Sequence, residues 1–537
     1  MTRSDDDLRR HLTAAMLGQP PASAGPPRLV QLCFRRNGRR LARVWGDGAG
    51  LAAAMHDAIA KAAIPPARVT HIEVTQARPG RLMVPADLTR ARVNDFRGLM
   101  GIELRAGGQV ARIGPLEMVT RNLGPKAALR ILSRQIGLPL VRVEAWAFPA
   151  DQVLVEWPGG RVHQLFRGQK TVPPGTMTRA RVELMARGME DWLLSQIRAD
   201  GSLPYKYWPS SGSYSPANNM IRQFMASAAL ANIAARRGDA APGVARNFAH
   251  NFAQFYTVEA GLGLIHDGEK IKLGAAAVAL IACLNLGDPA YQPQIAALTR
   301  FILSMQNSDG SFRTFLRPPS RTDCQNFYPG EACLALMRLH QTTGDPVLLT
   351  CVERAFAYYR DWHRAQRNPA FVPWHTAALC LYLRHRDAPD MAAFVFEMTD
   401  WLLPIQQTHN RPADVLGEFF DPARPEFGPP HASATGVYLE GLIEAWALAK
   451  RLGDPREAAC RHAIHLGLRS LRQLQFRHPS DMYYIANRNR VQGGLRTTTY
   501  DNTLRLDNVQ HGLMAIHRIL DLWSEAEFEA VVATSTL

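Results

Sequence analysis

Two periods of hydrophobicity divide the chain. From Arg28 to about Lys170 the apolar positions fall in short runs, "RLVQLCF", "RLARVW", "VTHIEV", "GIELRA", "VRVEAWAF" and "QVLVEW", each of which predicts a strand. Between them "AGLAAAMHDAIAKAA" and "GPKAALRILSRQIG" repeat at helical spacing. The expectation for 28–170 is a small α/β or α+β domain. "RGQKTVPPG" reads as the approach to a linker over 171–177, and from Thr178 to about Trp523 the period is helical throughout. Residues 1–27 carry acids early and no long apolar run, which predicts a flexible leader rather than a secretion signal. Residues 524–537 read as a C-terminal tail.

The helical part repeats itself. "ARRGD", "NLGD", "TTGD" and "RLGD" end successive helices, with glycines at Gly238, Gly287, Gly344 and Gly453; "RHRD" ends another near Arg386. Each glycine suits a left-handed C-cap, and the aspartate behind it suits the start of the next helix. Helices entering these turns are apolar all round ("LGAAAVALIACLNL", "EACLALMRL", "TAALCLYL", "VYLEGLIEAWAL"), as buried helices are. Helices leaving them carry charge on one face, as in "PVLLTCVERAFAYYRDWHRAQR". Six such pairs, with inner helices starting near Asn218, Lys272, Tyr328, Trp374, Thr435 and Leu504, predict a mainly α protein: an α/α toroid of six helical hairpins behind the smaller α/β domain.

A toroid has two unlike faces. The Gly-Asp turns are short, whereas the return connections 202–216, 309–327, 408–434 and 476–503 are long, and long loops in compact domains tend to be functional. They gather where the inner helices start, and six helix N-termini converging there favour an anion. Polar residues concentrate at the same places: Tyr207, Asn219, Arg222, Gln223, Tyr328, Glu331, Trp374, His375, Tyr438, Glu440, Arg505, Asp507 and His511. Taken singly, most have a bland reading. Glu331 and Asp507 suit helix N-termini as plain carboxylates, and His375 and His511 suit the core as hydrogen-bonded histidines. Glu440 either faces the cavity or meets an arginine. Arg222, inside an apolar helix, needs an acid such as Glu331 or an anionic ligand. Their common location turns the balance toward a site in which Glu331, His375, Asp507 and His511 are the candidates for catalysis and the others for substrate binding.

Composition narrows the ligand. The 537 residues carry a formal charge of +15 with 47% hydrophobic residues, which excludes a disordered chain. Arginine dominates the basic residues, and its guanidinium grips carboxylates and phosphates bidentately. No basic block, RNP-like run or zinc finger points to nucleic acid. The seven cysteines are scattered, several in apolar helices, without metal spacing; they read as reduced core thiols of a cytoplasmic protein, with no metal or other cofactor. No run approaches the roughly 18 apolar residues of a membrane span. Nothing in the sequence sets the oligomeric state.

"YPGEA…TGD", "YLEGL" and the "QNSDGS" type of loop resemble the six-hairpin glycosidase-like superfamily, and "GGLRTTTYDNTLRLDNVQHGL" resembles its closing segment. The resemblance runs from about Thr178 to Leu522. It implies the toroid and a glycan substrate, and the arginine bias makes that glycan acidic. Hydrolysis would use Glu331 with Glu418, Asp421 or Asp507 as acid and base. Elimination or epimerisation of a uronic acid would use His375, His511 or a tyrosine as base, with Arg222 and Asn219 on the sugar carboxylate. Two other readings stay open: a non-catalytic toroid binding a glycan or protein, and a terpene cyclase or prenyltransferase relative, although the toroid has no DxDD or DDxxD motif. Nearer the N-terminus, "FRGLMGIELRAGGQVARIGP" with the helix and strand after it resembles the AMMECR-type domain. "ARVWGDG" stands where that family has RGCIG, so the resemblance implies an accessory or docking module, separable from the toroid.

Overall fold

The computed structural model describes residues 3–21, 25–84, 96–408 and 412–534; the remaining parts of the leader, domain, mouth loop and tail expected from sequence lie outside them. The N-terminal region is an antiparallel sheet of β1 (Pro27–Arg36), β2 (Arg39–Ala49), β3 (His71–Ala77), β4 (Arg81–Met83), β5 (Met100–Ala106), β6 (Gln109–Ile113), β7 (Glu144–Glu156) and β8 (Val162–Leu165). Its order is β2-β1-β3-β7-β5-β6, with β4 and β8 also on β7. The two strands expected over 141–148 and 152–157 are therefore one. Its first half pairs with β5, Met100 opposite Pro149, and its second with β3, His71 opposite Glu156, so the chain between stays extended. Helices α1 (Arg3–Met16), α2 (Leu51–Ala62), α3 (Pro115–Thr120) and α4 (Pro125–Ile136) cover the sheet. The expected flexible leader is corrected here: α1 buries Leu8, Leu12, Ala15 and Met16 against Met55 and β1, an apolar stripe that the flanking acids conceal in sequence.

Twelve helices follow: α5 (Arg179–Ser195), α6 (Met220–Arg236), α7 (Ala241–Phe255), α8 (Leu273–Leu286), α9 (Gln292–Ser304), α10 (Tyr328–Thr343), α11 (Pro346–Ala365), α12 (Val372–Tyr382), α13 (Pro389–Leu402), α14 (Ala432–Leu452), α15 (Arg456–Leu474) and α16 (Leu506–Leu522). The even-numbered helices form the inner ring. Each touches the next, and α16 touches α6, so the ring closes. Each outer helix packs on the inner helix before it, and α5 packs on α16 across the closure. This is the toroid that the pattern predicts. The short tail helix α17 (Glu525–Thr534), read from sequence as a loose end, packs Phe528 against Trp523.

Three of the expected turns are left-handed glycine caps, at Gly287, Gly344 and Gly453 with φ of 67°, 67° and 65°. Behind them Asp288 and Asp345 accept from the backbone of Ala290 and Val347. Gly238 departs from the expectation: Arg237 ends α6 in an extended conformation, and Gly238 opens a 3-10 turn. At the opposite face the connections carry β9 (Lys206–Trp208), β10 (Ser213–Tyr214), β11 (Tyr256–Glu259), β12 (Leu262–Asp267), β13 (Lys270–Lys272), β14 (Phe315–Arg317), β15 (Arg496–Thr498) and β16 (Asp501–Arg505). β9 of the first connection pairs with β16 of the last, fastening the ring where it closes.

The linker expected over 171–177 is mostly exposed or half-buried, but the residues that lead into it, Arg167, Gly168 and Gln169, form a buried strap. Arg167 forms an ion pair of 2.7 Å with Asp414, both side chains 0% exposed, and donates to the Arg97 carbonyl. Gln169 reaches the Thr499 carbonyl, and Arg469 of α15 donates to the Val172 carbonyl at 2.8 Å. From the sheet side, Asn122 donates to Asp501 at 3.0 Å. The two regions thus share a desolvated polar interface. A buried charge left without its partner is costly, so Asp414→Leu should lower stability by about 3–5 kcal/mol. Urea unfolding of the full chain measures this, and an unshifted midpoint would show the strap to be dispensable.

Candidate active site

The inner helices start around a cavity of about 350 Å³. The residue just before each inner helix tends to line it: Asn219, Lys272, Phe327, His431 and Arg505 all do. Asn219 and His431 are true caps, accepting from the backbone of Arg222 at 3.3 Å and of Ala434 at 3.0 Å. Lys272 and Arg505 cap nothing with their side chains. A cation at a helix N-terminus works against the dipole by roughly 0.3–1 kcal/mol, so these two positions are held against local preference.

Glu331 lies one turn into α10, buried, with Oε2 unpartnered. Burial raises its carboxyl to about 8, although Arg222 pulls the other way. It fits because α8 offers a glycine there: a Cβ on Gly274 would stand 2.3 Å from Glu331 Oε2 and from Tyr328 Cδ1. Beside it Arg222, 31% exposed, sits 3.4 Å from the fully buried Asp507, and Arg505 also pairs with Asp507, its Nε donating at 2.9 Å. Burial opposes the charge of Asp507, but Arg222 and Arg505 together hold it ionised, below the usual aspartate range. Lys272 is half-buried with its ammonium pushed down by burial, its side chain 3.9 Å from the Met220 sulfur. Across the ring His511 Nδ1 meets Glu440 Oε1 at 2.8 Å. A carboxylate on Nδ1 fixes the tautomer that leaves Nε2 as an acceptor.

Of the thirteen residues expected at the site, Asn219, Arg222, Tyr328, Glu331, Trp374, Tyr438, Arg505 and His511 line this cavity. The other five do not. Asp507 lies behind the two arginines, saturated as their counter-ion, which removes it as an acid or base. His375 stacks on Phe371 with ring centroids 3.7 Å apart, and burial pushes it down to about 3, so it is a neutral core histidine. Glu440 reaches the site only through His511; its own surroundings are a separate cavity at the far ends of the inner helices. Gln223 is spent on the Leu203 carbonyl and Asn218, at 2.9 and 2.7 Å. Tyr207 packs on Tyr214 in the closing sheet and borders another depression. Sequence reasoning missed Lys272, Phe327, Phe419 and Phe420. The signal available was position: two of these four, Lys272 and Phe327, immediately precede an apolar inner helix. Among the described residues no group of His, Cys, Asp or Glu could hold a metal ion.

No protein-family model matches the chain, and no curated protein does. Among solved structures it is similar to an unsaturated glucuronyl hydrolase specific for heparin, with 12% identity over 64% of this chain and 97% of that one and a TM-score of 0.47. It is also similar to the GH76A α-1,6-mannanase from a Salegentibacter species, at 10% identity over 65% and 99% of the two chains and a TM-score of 0.47. An uncharacterized protein from Pyrococcus horikoshii shares 16% identity over 30% of this chain and 94% of its own, with a TM-score of 0.25. The toroid itself rests on the closed ring of helix contacts.

Burial of Glu331 has a measurable sign. Below about 4.5, the ordinary glutamate value, the carboxyl is protonated folded and unfolded alike, and its burial adds no pH dependence. As pH rises toward about 8 the unfolded chain ionises while the folded one stays protonated, so stability falls, and it levels off above that. Glu418, also raised to about 8, adds a slope of its own. Glu331→Gln should therefore flatten part of the decline and gain most over the wild type near pH 8. Chemical denaturation across this range checks it; parallel curves would mean that Glu331 is ionised in the fold.

Proposed function

We propose that this chain is a carbohydrate-active enzyme that takes an acidic sugar, with Glu331 as proton donor. One observation carries the reading: Glu331, buried with its Oε2 unpartnered and its carboxyl pushed up to about 8 by that burial, stands beside Arg222 at the mouth of the ring. A neutral carboxylic acid in a cavity is suited to general-acid catalysis. Arg222, Lys272 and Arg505 offer positive charge at helix starts that already favour anions, which suits the carboxylate of a uronic acid. Phe327, Tyr328, Trp374 and Tyr438 supply flat apolar surface for a pyranose ring.

Proton transfer at a uronic acid uses all of these parts. Arg222 and Arg505 would hold the sugar carboxylate and stabilise the enolate-like state. His511 Nε2, with its ring fixed by Glu440, would take the proton next to that carboxylate, and Glu331 would protonate the leaving glycosidic oxygen. The C–O bond breaks as a C=C bond forms, and the product is an unsaturated sugar. Hydrolysis is the second reading, favoured by Asp421, the other carboxylate among the described residues that line the cavity, whose Oδ1 accepts from the Ala423 backbone at 2.9 Å.

A panel of neutral and acidic oligosaccharides tests the proposal. Turnover is expected for the acidic set alone and should weaken as salt rises. Arg222→Leu should cost about a hundredfold or more in kcat/KM, the loss of a charged hydrogen bond and its field. Glu331→Gln should remove turnover while leaving binding largely intact. An ultraviolet-absorbing unsaturated product marks elimination, and its absence with new reducing ends marks hydrolysis. Undiminished turnover in both variants would refute the assignment.

A further inference from the structure

Beside the mouth cavity lies a second one of about 570 Å³. Its walls bring together Arg97 of the N-terminal domain with Gln407, Glu418, Thr497 and Tyr500 of the toroid loops. The two cavities share Phe420, Gly428, Pro429, His431 and Arg505, so they are neighbouring chambers of one cleft. Arg97 reaches the second chamber because the sheet domain is docked on the ring by the Arg167–Asp414 pair, with Arg167 also donating to the Arg97 carbonyl.

Two polar groups in this chamber are buried and incompletely matched. Arg97 is 9% exposed. Its Nη2 donates to the Asn122 side chain, while its Nε has no partner. Glu418 is 1% exposed, and its Oε1 has no partner. Burial, and then the nearby Asp414, raise the Glu418 carboxyl to about 8, so at neutral pH it too has a proton to donate. Each buried donor without an acceptor costs roughly 1–3 kcal/mol. The interface's own ion pair and backbone hydrogen bonds engage neither the Arg97 Nε nor the Glu418 Oε1. Two donors on the walls of a chamber that adjoins a cationic mouth call for a ligand rich in acceptor oxygens.

We propose that the second chamber receives the next acidic residue of an oligosaccharide, its carboxylate accepting from Arg97 and Glu418, so that the N-terminal domain forms part of the substrate cleft and sets a preference for longer acidic chains. This rests on the mouth cavity binding the first acidic sugar. The sheet domain is then a determinant of specificity, and its docking is the assembly of the binding site.

Calorimetric titration of the full chain with monomeric uronic acids and their disaccharides tests this. The glucuronate, galacturonate and mannuronate series serve as probes. The wild type should bind the best disaccharide about tenfold or more tightly than its monosaccharide, the gain expected of a charged hydrogen bond. Arg97→Leu and Glu418→Leu should each lose that gain, and Glu418→Gln, which keeps a donor, should restore it. Arg97→Lys keeps the charge but not the Nε donor and should recover only part. Thermal melts of each variant separate loss of fold from loss of contact. No length-dependent gain in the wild type, or equal losses for both lengths in the variants, overturns the inference while Arg222→Leu still reports on the mouth. Failure of every acidic saccharide to bind the wild type overturns both readings.

Discussion

Neighbouring inner helices meet through glycine at the mouth, and the spacing this permits decides what the cavity holds. Gly274 of α8 gives way to Glu331 and Tyr328 of α10; Gly330 of α10 gives way in turn to α12, where a Cβ would come within 2.6 Å of Trp374. Gly436 of α14 would place its Cβ 2.6 Å from the Gly512 nitrogen of α16, and the same close approach brings Glu440 to His511 one turn further on. A larger residue at any of these points would widen the ring or expel a polar side chain from it. The site is thus a by-product of backbone proximity as much as of its own side chains. Glu331 is buried, and hence protonated, because α8 has no side chain where its carboxyl lies.

The charge arrangement follows from the same crowding. Asp507 is shared by Arg222 and Arg505, one anion for two cations, and Lys272 has no carboxylate within ion-pair distance among the described residues. A protein shaped only for stability would put carboxylates, not ammonium and guanidinium groups, at helix starts. Positive charge at the mouth thus exceeds the one carboxylate paired with it, and the raised carboxyl of Glu331 does little to offset it.

Legibility differed between the levels of structure. The ring could be read because its two signals are local and repeated: a glycine turn every few dozen residues, and helices too apolar to face water. Which polar residue faces the cavity was less legible, because it depends on rotation of each helix about its axis. Asp507 and His511 lie one turn apart on α16, yet one is sealed behind arginines and the other lines the cavity. His375 follows Trp374 directly and turns into the aromatic stack with Phe371. The docking of the sheet domain was invisible because the buried strap Arg167–Gln169 runs straight into a stretch with the composition of a linker; its burial comes from partners such as Asp414, nearly 250 positions away and indistinguishable in sequence from any loop aspartate.

The ring closes between its first and last helices, α5 against α16, and the closing sheet pairs β9 with β16. During synthesis, five of the six inner helices therefore emerge before any of them can be enclosed. Arg222 is made long before Asp507, its counter-ion, and His511 follows four residues after that aspartate. A ribosome-bound chain lacking its last inner helix holds an open arc with exposed apolar flanks and an unneutralised arginine. The mouth cavity is complete only with the final stretch of translation, and a chain cut short there would be one for chaperones to hold or proteases to remove.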